Sequence, residues 1–597
     1  MRRVLLTTTT AAALLLAACG DTDDVELPLG TGEAGEEDIA RADSPEEVEG
    51  YEDANADPNR DAIDAAVAGV PALPAISQEE VARYIETLAS DDFAGRAPVT
   101  EGGAKTRAYL AAEFARVGLE PVNGSYEQAV PLVELTVQPG DSVMTVTLSD
   151  GTERALDYGP EAVYWTKRVE ESVSFDDSEL VFVGFGVNAP EYGRNDYEGL
   201  DVAGKTVVML VNDPGYYLEG EAFGGRAMTY YGRWTYKYEE AARQGAAAAI
   251  IVHETEPASY GWSVVEGSWT SPQLDLDRPD GGAGRTMAEA WITKAVAEEL
   301  FEAAGMDYEE AKQAALADDF AARDMGDLTA SARLTNAIAR SESANVVGVL
   351  PGATRPDEHV LYMAHWDHLG TSDGEDGEDH IANGAVDNAT GTAGLIAIAD
   401  SFARAERRPD RSVMFVAVTA EESGLLGSAY YAEDPLVPLS KTVAGINMDA
   451  ILPTAPSRDL MVMGYGASEL EDVLAGVAAK RGKVLTPDAK PEAGYFYRSD
   501  HISLAKKGVP MLYADKGEDL IEGGTEAGAA AAQDYTANRY HAPGDEYDPA
   551  TWRMDGVVET LEILRDTGAA IAYTDLAPNW YEGNEFRALR DAQMSGD

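Results

Sequence analysis

The chain has 597 residues, of which 45% are hydrophobic, so it is long enough to form more than one buried core. Acidic residues outnumber basic residues by 106 to 45, which gives a formal net charge of -61 at pH 7. This charge repels phosphate backbones and anionic membrane surfaces, and it argues against a nucleic-acid partner. Cysteine occurs once, so no disulfide can form within the chain.

The N-terminus carries the pattern of an export signal. Arg2 and Arg3 precede an apolar run centred on residues 11–18, which is too short to span a bilayer as a stable helix. The run ends in Leu16-Ala-Ala-Cys19 and resembles a bacterial lipoprotein signal, in which the cysteine becomes the lipidated N-terminus. A plain secretory signal that contains a cysteine is the alternative. We expect residues 1–19 to be a signal peptide, and the protein to reach the outer-membrane or periplasmic side of a cell envelope, with the lipid as its membrane contact.

The next segments pass from a tether to the first ordered helices. Residues 20–70 are rich in Asp, Glu, Gly and Pro, which predicts a disordered acidic tether. A capping box with Ser77 at the N-cap and Glu80 at the reciprocal position then begins a helix. A second helix is predicted over residues 103–117. We assign residues 76–168 to the first part of the main domain.

A separate α/β module is predicted over residues 169–328. Strand-like residues 180–183 and 207–211 precede a helix-like segment and an apolar strand within residues 236–252. The pattern of this last stretch resembles the protease-associated domain. The resemblance implies that the module is inserted into the main domain.

The fold class predicted for the main domain is α/β. From about residue 343 to residue 573, apolar strands alternate with segments of helical periodicity. This alternation indicates a three-layer domain over residues 329–575, with a mixed, mostly parallel central sheet covered by helices on both faces. Residues 576–597 are interpreted as a C-terminal tail.

Side chains that can bind metals follow three of the predicted strands, at the edge where open α/β sheets gather ligands. They are His365, Asp367, Glu421, Glu422 and Asp449. A set of His, Asp and Glu ligands without cysteine suits zinc or another borderline divalent metal.

The spacing of these residues suggests different tasks for them. An extended backbone would place His365 and Asp367 on one face, so we expect the Asp367 carboxylate to orient the imidazole by a hydrogen bond. Glu421 and Glu422 are adjacent and would point in opposite directions. One can then bind metal while the other holds a water as a general base.

Asp387 precedes a predicted helix and has two possible roles. Its two carboxylate oxygens could bridge two cations, or its side chain could be the N-cap of the helix, a role that Asn388 could share.

Six distinctive segments follow one another in the second half of the chain. They are His365-Trp-Asp367, Asp387-Asn-Ala-Thr-Gly391, Glu421-Glu-Ser-Gly-Leu-Leu-Gly-Ser428, Asn447-Met-Asp449, Arg498-Ser-Asp-His501 and Tyr540-His-Ala-Pro-Gly-Asp545. Taken together, they resemble the successive motifs of family twenty-eight of the metallopeptidases, which includes leucyl-type aminopeptidases and relatives of glutamate carboxypeptidase. The resemblance covers about residues 78–566.

The resemblance implies two zinc ions per chain and peptide substrates. It implies that Asp387 bridges the ions, that His365 and Asp449 complete one site, and that Glu422 and His541 complete the other. By the same resemblance the expected activity is that of an aminopeptidase, with a carboxypeptidase or a dipeptidase as the alternative.

Glu421 resembles the general base of the family. Tyr540 resembles a tyrosine that donates to the oxyanion in several relatives, although Tyr495 or Tyr497 could serve instead. His368 and His380 are interpreted as bystanders.

Three other functions compete with this interpretation. Gly370-Thr-Ser-Asp-Gly374 has the form of a serine-hydrolase nucleophile elbow, but a polar acidic loop follows it instead of a helix. That loop could instead bind calcium. A receptor-like protein without catalysis and a one-zinc glutaminyl cyclase are further alternatives, and the complete ligand set and the separate module favour the peptidase.

Overall fold

The computed structural model describes residues 59–218, 220, 222–372 and 379–595. The predicted signal peptide, the lipid anchor, most of the predicted tether and the acidic loop at 373–378 lie outside this range. Within the described part of the chain, no helix combines the length and the apolar character needed to cross a membrane.

The helices and strands follow each other in the order that gives their numbers. The helices are α1 (Arg60–Ala68), α2 (Gln78–Leu88), α3 (Glu101–Val117), α4 (Trp234–Arg243), α5 (Thr255–Ala258), α6 (Trp262–Trp269), α7 (Lys294–Ala303), α8 (Tyr308–Ala315), α9 (Thr390–Ala403), α10 (Leu426–Glu433), α11 (Leu470–Ala479), α12 (His501–Ala505), α13 (Gly524–Asn538), α14 (Met554–Ala572) and α15 (Arg587–Ser595). The strands are β1 (Glu120–Pro121), β2 (Glu127–Val137), β3 (Val143–Thr147), β4 (Glu153–Ala155), β5 (Ala162–Trp165), β6 (Ser172–Phe182), β7 (Asn188–Ala189), β8 (Arg194–Asn195), β9 (Thr206–Leu210), β10 (Ala248–His253), β11 (Gln273–Leu276), β12 (Ala288–Thr293), β13 (Arg323–Leu350), β14 (Arg355–His365), β15 (Gly370–Thr371), β16 (Ile381–Ala382), β17 (Arg411–Val418), β18 (Thr442–Asn447), β19 (Asp459–Val462), β20 (Val484–Pro487) and β21 (Met511–Lys516).

The main domain is built on a mixed sheet with a parallel centre, as the alternation of strands and helices predicts. Strands β17, β14, β18 and β21 are neighbours in that order and run parallel. Antiparallel strands flank them, β13 beside β17 and β19 beside β21. The carboxyl ends of β14, β17 and β18 therefore meet at one edge of the sheet.

Both faces of this sheet are buried. In β14, Tyr362 and Ala364 pack into the core beneath α2, α9 and α14, while Leu361 and Met363 pack into a second core on the opposite face. Successive side chains of a strand point to opposite faces, so an unbroken apolar strand needs a cover on each side. The three-layer fold class predicted from the sequence is confirmed.

The module is larger than predicted. Strands β3, β5 and β6 belong to its sheet, because β3 and β6 pair with the first part of β13 and β5 pairs with β12. The predicted start at residue 169 is therefore wrong, and we define the module as residues 143–335. Strand β3 pairs antiparallel with residues 329–333, which are distant in the sequence. Local sequence patterns cannot predict such a pairing.

Two segments join the module to the main domain. Strand β13 is 28 residues long and contributes its first part to the module and its last part to the main sheet. Strand β11 leaves the module and pairs with β2. Leu276 of β11 packs with Ala420 and Leu426, which flank Glu421 and Glu422, so the module lies against the edge that carries the candidate ligands.

The predicted tether is wrong for residues 60–68. These residues form α1, whose Ile63 and Val67 are buried in the main core against α11 and α14. The apolar residues of this segment are few, but they lie on one helical face. The average composition of the acidic segment does not show this periodicity. Further along the chain, the backbone N–H of Glu80 donates to Ser77 Oγ at 3.3 Å, which confirms the predicted start of α2.

The predicted C-terminal tail is also packed. Trp580 is fully buried and donates from Nε1 to the main-chain oxygen of Gly508 at 3.1 Å.

We expect Ile63→Ala to lower the free energy of unfolding of the main domain by about 2–4 kcal/mol, because it leaves a cavity beneath α1. Urea denaturation measures this loss. Asp64→Ala, on the exposed face of the same helix, is the matched control and should change stability by less than about 0.5 kcal/mol. Equal stability of both variants would mean that α1 does not belong to the folded core.

Candidate metal centre

The five predicted metal ligands lie together, with the carboxylate of Asp387 between two histidines. Its Oδ1 lies 3.2 Å from His365 Nε2, and its Oδ2 lies 3.3 Å from His541 Nε2. Asp449 Oδ1 lies 3.1 Å from the same atom of His365, and Glu422 Oε2 lies 3.1 Å from His541 Nε2. The structure thus forms two groups of side chains that share Asp387.

The spacing of these atoms fits divalent metal ions. Zinc binds histidine nitrogen and carboxylate oxygen at about 2.0–2.1 Å, so two of its ligand atoms in a tetrahedron lie about 3.3 Å apart. The observed nitrogen–oxygen distances of 3.1–3.3 Å match this separation. The donor set of imidazole and carboxylate also suits zinc.

The negative charge of the carboxylates at the sheet edge also favours bound cations. Burial opposes protonation of His365, yet the nearby carboxylates of Asp449 and Glu421 raise its pKa well above the ordinary value. For His541 the same competition, with Glu422 as its main partner, raises the pKa to about 10. Carboxylates therefore outweigh burial at both histidines, and positive charge is stabilised at this edge.

The main chain orients His365. Its Nδ1 lies 3.1 Å from the main-chain oxygen of Asp367, which leaves Nε2 free to face Asp387 and Asp449. The prediction that the Asp367 carboxylate orients the imidazole is therefore wrong. The backbone turns after β14, and that carboxylate instead accepts the N–H groups of Glu421 at 3.1 Å and Glu422 at 3.4 Å.

Asp367 is thus a positioning residue for the two glutamates. It is completely buried, and this burial raises its pKa to about 6. Its two oxygens hold successive N–H groups and fix the turn that follows β17. The side chains of Glu421 and Glu422 can then point to different sides, as their adjacency predicts.

Glu421 lies beside the first group of side chains. One of its oxygens, His365 and Asp449 offer atoms that all lie within 4.8 Å of one another. Burial and the neighbouring carboxylates raise the pKa of Glu421 well above its ordinary value.

The loop that carries Asp387 is held by two side chains. The carboxylate of Asp545 accepts the N–H groups of Val386 and Asp387, both at 3.0 Å. Asn388 Oδ1 accepts the N–H of Gly391 at 2.9 Å at the start of α9. The capping role left open for Asp387 therefore belongs to Asn388, and the Asp387 carboxylate is free to face the histidines.

Asn388 also ties this loop to the one that carries Asp449. Its Nδ2 donates to the main-chain oxygen of Met448 at 3.1 Å, and its Oδ1 lies 3.3 Å from the N–H of Ala450. Asp449 is fixed from its other side by Ser499, whose hydroxyl donates to Asp449 Oδ2 at 2.6 Å. One amide thus sets the spacing of two candidate ligands.

The prediction that His368 is a bystander is wrong. Its Nδ1 lies 2.6 Å from Glu422 Oε1, and its ring centre lies 5.8 Å from that of His541. The turn after β14 carries it inward to Glu422 and His541, which an alternating strand pattern could not predict. His368 fixes the oxygen of Glu422 that does not face His541.

Arg96 is a buried side chain that sequence reasoning missed. Its guanidinium donates to the main-chain oxygens of Leu88, Trp366, Asn383 and Gly384 at 2.6–2.9 Å. Burial lowers its pKa to about 10, while the site carboxylates oppose this change. Arg96 therefore joins the turn after β14 to the loop before Asp387 and places a positive charge beneath the carboxylates. No motif surrounds it that would have indicated this role.

Tyr540 lies directly on the second group of side chains. Its ring stacks on that of His541 with centres 3.8 Å apart and an interplanar angle of 22°. The hydroxyl of Tyr497 donates to Glu585 at 2.9 Å, so it is occupied elsewhere. Tyr540 lines the site cavity and stacks on a candidate ligand, whereas Tyr495 is not among the lining residues.

A cavity of about 430 Å³ opens onto the metal centre. Glu421, Glu422, Tyr540 and His541 line this cavity together with residues of the module. The module residues there include Trp165, Lys167, Arg233, Tyr260, Trp269 and Arg285. A molecule bound at the metal centre would therefore contact both parts of the chain.

We expect Asp545→Asn to weaken metal binding by about 10- to 100-fold, because the amide replaces one carboxylate oxygen by an NH2 group, which cannot accept a backbone N–H. Competition with a chromogenic chelator measures the affinity. Asp548→Asn, an exposed substitution in the same loop, should leave the affinity unchanged. If Asp545→Asn binds metal as the parent does, the positioning role is contradicted.

Comparison with known proteins finds a family match over the part of the chain that carries this site. Residues 345–562, which contain all five converging side chains, match the model of peptidase family M28. Mouse aminopeptidase NAALADL1 is 38% identical over 112 residues, or 18% of this chain and 13% of that protein. The glutamate carboxypeptidase 2 homolog of Caenorhabditis briggsae is 33% identical over 112 residues, again 18% of this chain and 13% of the relative.

These matches to curated relatives cover only a small share of each protein. Among solved structures, an aminopeptidase from Aneurinibacillus sp. strain AM-1 is 19% identical, with 87% of this chain and 97% of that chain covered and a TM-score of 0.43. The segment that carries the candidate metal centre is therefore the part of the chain that matches peptidase family M28.

Proposed function

We propose that the protein is a zinc-dependent exopeptidase of the M28 type that binds two zinc ions. The observation that carries this proposal is the Asp387 carboxylate, which has one oxygen near His365 and the other near His541. Asp449 and Glu422 complete the two groups. Zinc held there would polarise the scissile carbonyl and lower the pKa of an attacking water.

Glu421 is the proposed general base. It lies near His365 and Asp449, and Asp367 holds its backbone in place. From this position its carboxylate would accept a proton from the attacking water and return it to the leaving amine. Tyr540, stacked on His541, would donate its hydroxyl proton in a hydrogen bond to the oxygen of the scissile carbonyl.

The serine-hydrolase alternative lacks its required context. Gly370 and Thr371 form a short strand that pairs antiparallel with Ile381 and Ala382. A nucleophile elbow needs a strand that turns directly into a helix. The export and lipid attachment indicated by residues 1–19 stay predictions.

We expect Glu421→Gln to retain two zinc ions and to lose about 10²- to 10⁴-fold in kcat, because the amide cannot accept the proton. Metal analysis and a peptidase assay on the same preparation measure both effects. His541→Ala is the contrasting variant and should lose zinc. Near-normal turnover by Glu421→Gln would overturn its role as the base.

The end of the peptide that is cut needs a separate test. We expect an aminopeptidase, so the zinc-loaded protein should cleave a peptide with a free N-terminus and an amidated C-terminus. It should not cleave the same peptide when the N-terminus is acetylated and the C-terminus is free. The reverse result would identify a carboxypeptidase, and cleavage only when both ends are free would identify a dipeptidase.

A further inference from the structure

Two arginines line the site cavity without a carboxylate partner among the described residues. Arg233 comes from the module, where it directly precedes α4, and Arg498 comes from the main domain. The Nε atom of each is buried and has no hydrogen-bond partner. Each guanidinium lies near an aromatic ring, 6.0 Å from Trp234 for Arg233 and 5.5 Å from Tyr495 for Arg498.

The other cations that line the cavity lie close to acidic groups. The ion pairs are Lys167 with Asp275 at 2.9 Å, Lys506 with Glu239 at 2.9 Å, and Arg278 with Glu433 at 2.8 Å. Arg285 also acts on Asp275: burial raises the pKa of this carboxyl, but the charges of Lys167, Arg278 and Arg285 lower it to about 2. Among the described arginines and lysines that line the cavity, Arg233 and Arg498 are thus the two without an acidic neighbour.

Arg233 and Arg498 line the same cavity, so their like charges oppose each other. Burial and the charge of Arg498 lower the pKa of Arg233 to about 9. Tyr260 lies near both side chains: burial raises its pKa, and the two arginines oppose this rise. A like-charged pair in a partly buried cavity is destabilising without an anion, and guanidinium groups bind carboxylates in a two-pronged geometry.

We propose that Arg233 and Arg498 together bind a carboxylate of the peptide substrate, so that the module supplies half of an anion site next to the metal centre. This inference rests on the proposed peptidase function. The cavity volume of about 430 Å³ suits a short peptide. The carboxylate is then either the C-terminus of a very short peptide or an Asp or Glu side chain beside the cleaved bond.

Three dipeptides distinguish these sources: alanyl-alanine, alanyl-alanine amide and alanyl-glutamate α-amide. The first carries only a main-chain carboxylate, the second carries none, and the third carries only a side-chain carboxylate. The readout is the ratio of kcat/KM for each acid to kcat/KM for the neutral amide. It is measured for the zinc-loaded parent and for Arg233→Gln, Arg498→Gln and Arg233→Lys.

We expect the parent to prefer at least one acid, and Arg233→Gln to reduce that preference by about 10- to 100-fold, mainly through KM. Arg498→Gln should have a similar effect, and Arg233→Lys should retain part of the preference because it retains the charge. If the variants lose the preference for alanyl-alanine, the site binds a C-terminal carboxylate. If they lose the preference for alanyl-glutamate α-amide, the site binds a side-chain carboxylate. Arg226→Gln, an exposed arginine of the same module, is the matched control and should leave the ratios unchanged.

Thermal stability separates this role from a structural one. Arg233→Gln removes a like-charge repulsion, so its Tm should equal or exceed that of the parent, whereas a structural arginine would lower it. The proposal is overturned if Arg233→Gln leaves the ratios unchanged or lowers kcat/KM equally for all three peptides.

If the zinc-loaded parent cleaves none of the peptides, the proposed peptidase function is contradicted, and the anion site needs a separate test. Isothermal titration calorimetry then measures the affinity of the parent and of Arg233→Gln for alanyl-alanine and for alanyl-glutamate α-amide. Binding of either peptide that is at least about 10-fold weaker in the variant supports the site. Equal binding, or none, overturns it.

Discussion

The sharing of one carboxylate between two histidines organises the site. Asp387 reaches His365 with one oxygen and His541 with the other, although these histidines are far apart in the chain. The arrangement depends on the fixed conformation of the loop that carries Asp387. Asp545 accepts the N–H groups of this loop, and Asn388 accepts an N–H group at the start of α9. The geometry of the centre is thus set by hydrogen bonds one layer behind the candidate ligands.

The module extends this organisation from the metal centre to the substrate. Strand β13 belongs to both sheets, and Leu276 of β11 packs beside the turn that carries the two glutamates. Arg233 of the module lines the same cavity as His541. In the proposed anion site, Arg233 and Arg498 place two like charges in one cavity, and a bound anion would compensate them. In this account the module is a part of the substrate site.

The sequence predicts the fold well because the strand ends and the apolar runs are local signals. His365, Glu421 and Asp449 follow three strands directly, and their meeting follows from the parallel order of β14, β17 and β18. Nothing local links His541 to them, and only the resemblance to a family did so. Arg96 and His368 depend on how the chain turns after a strand, and the module boundary depends on pairing between distant residues.

The most direct test of the two-metal account is an anomalous difference map at the zinc absorption edge from crystals of the zinc-loaded protein. The account predicts two peaks on either side of the Asp387 carboxylate. One should lie between His365 and Asp449, and the other between Glu422 and His541. A single peak, or peaks away from Asp387, would contradict the central claim.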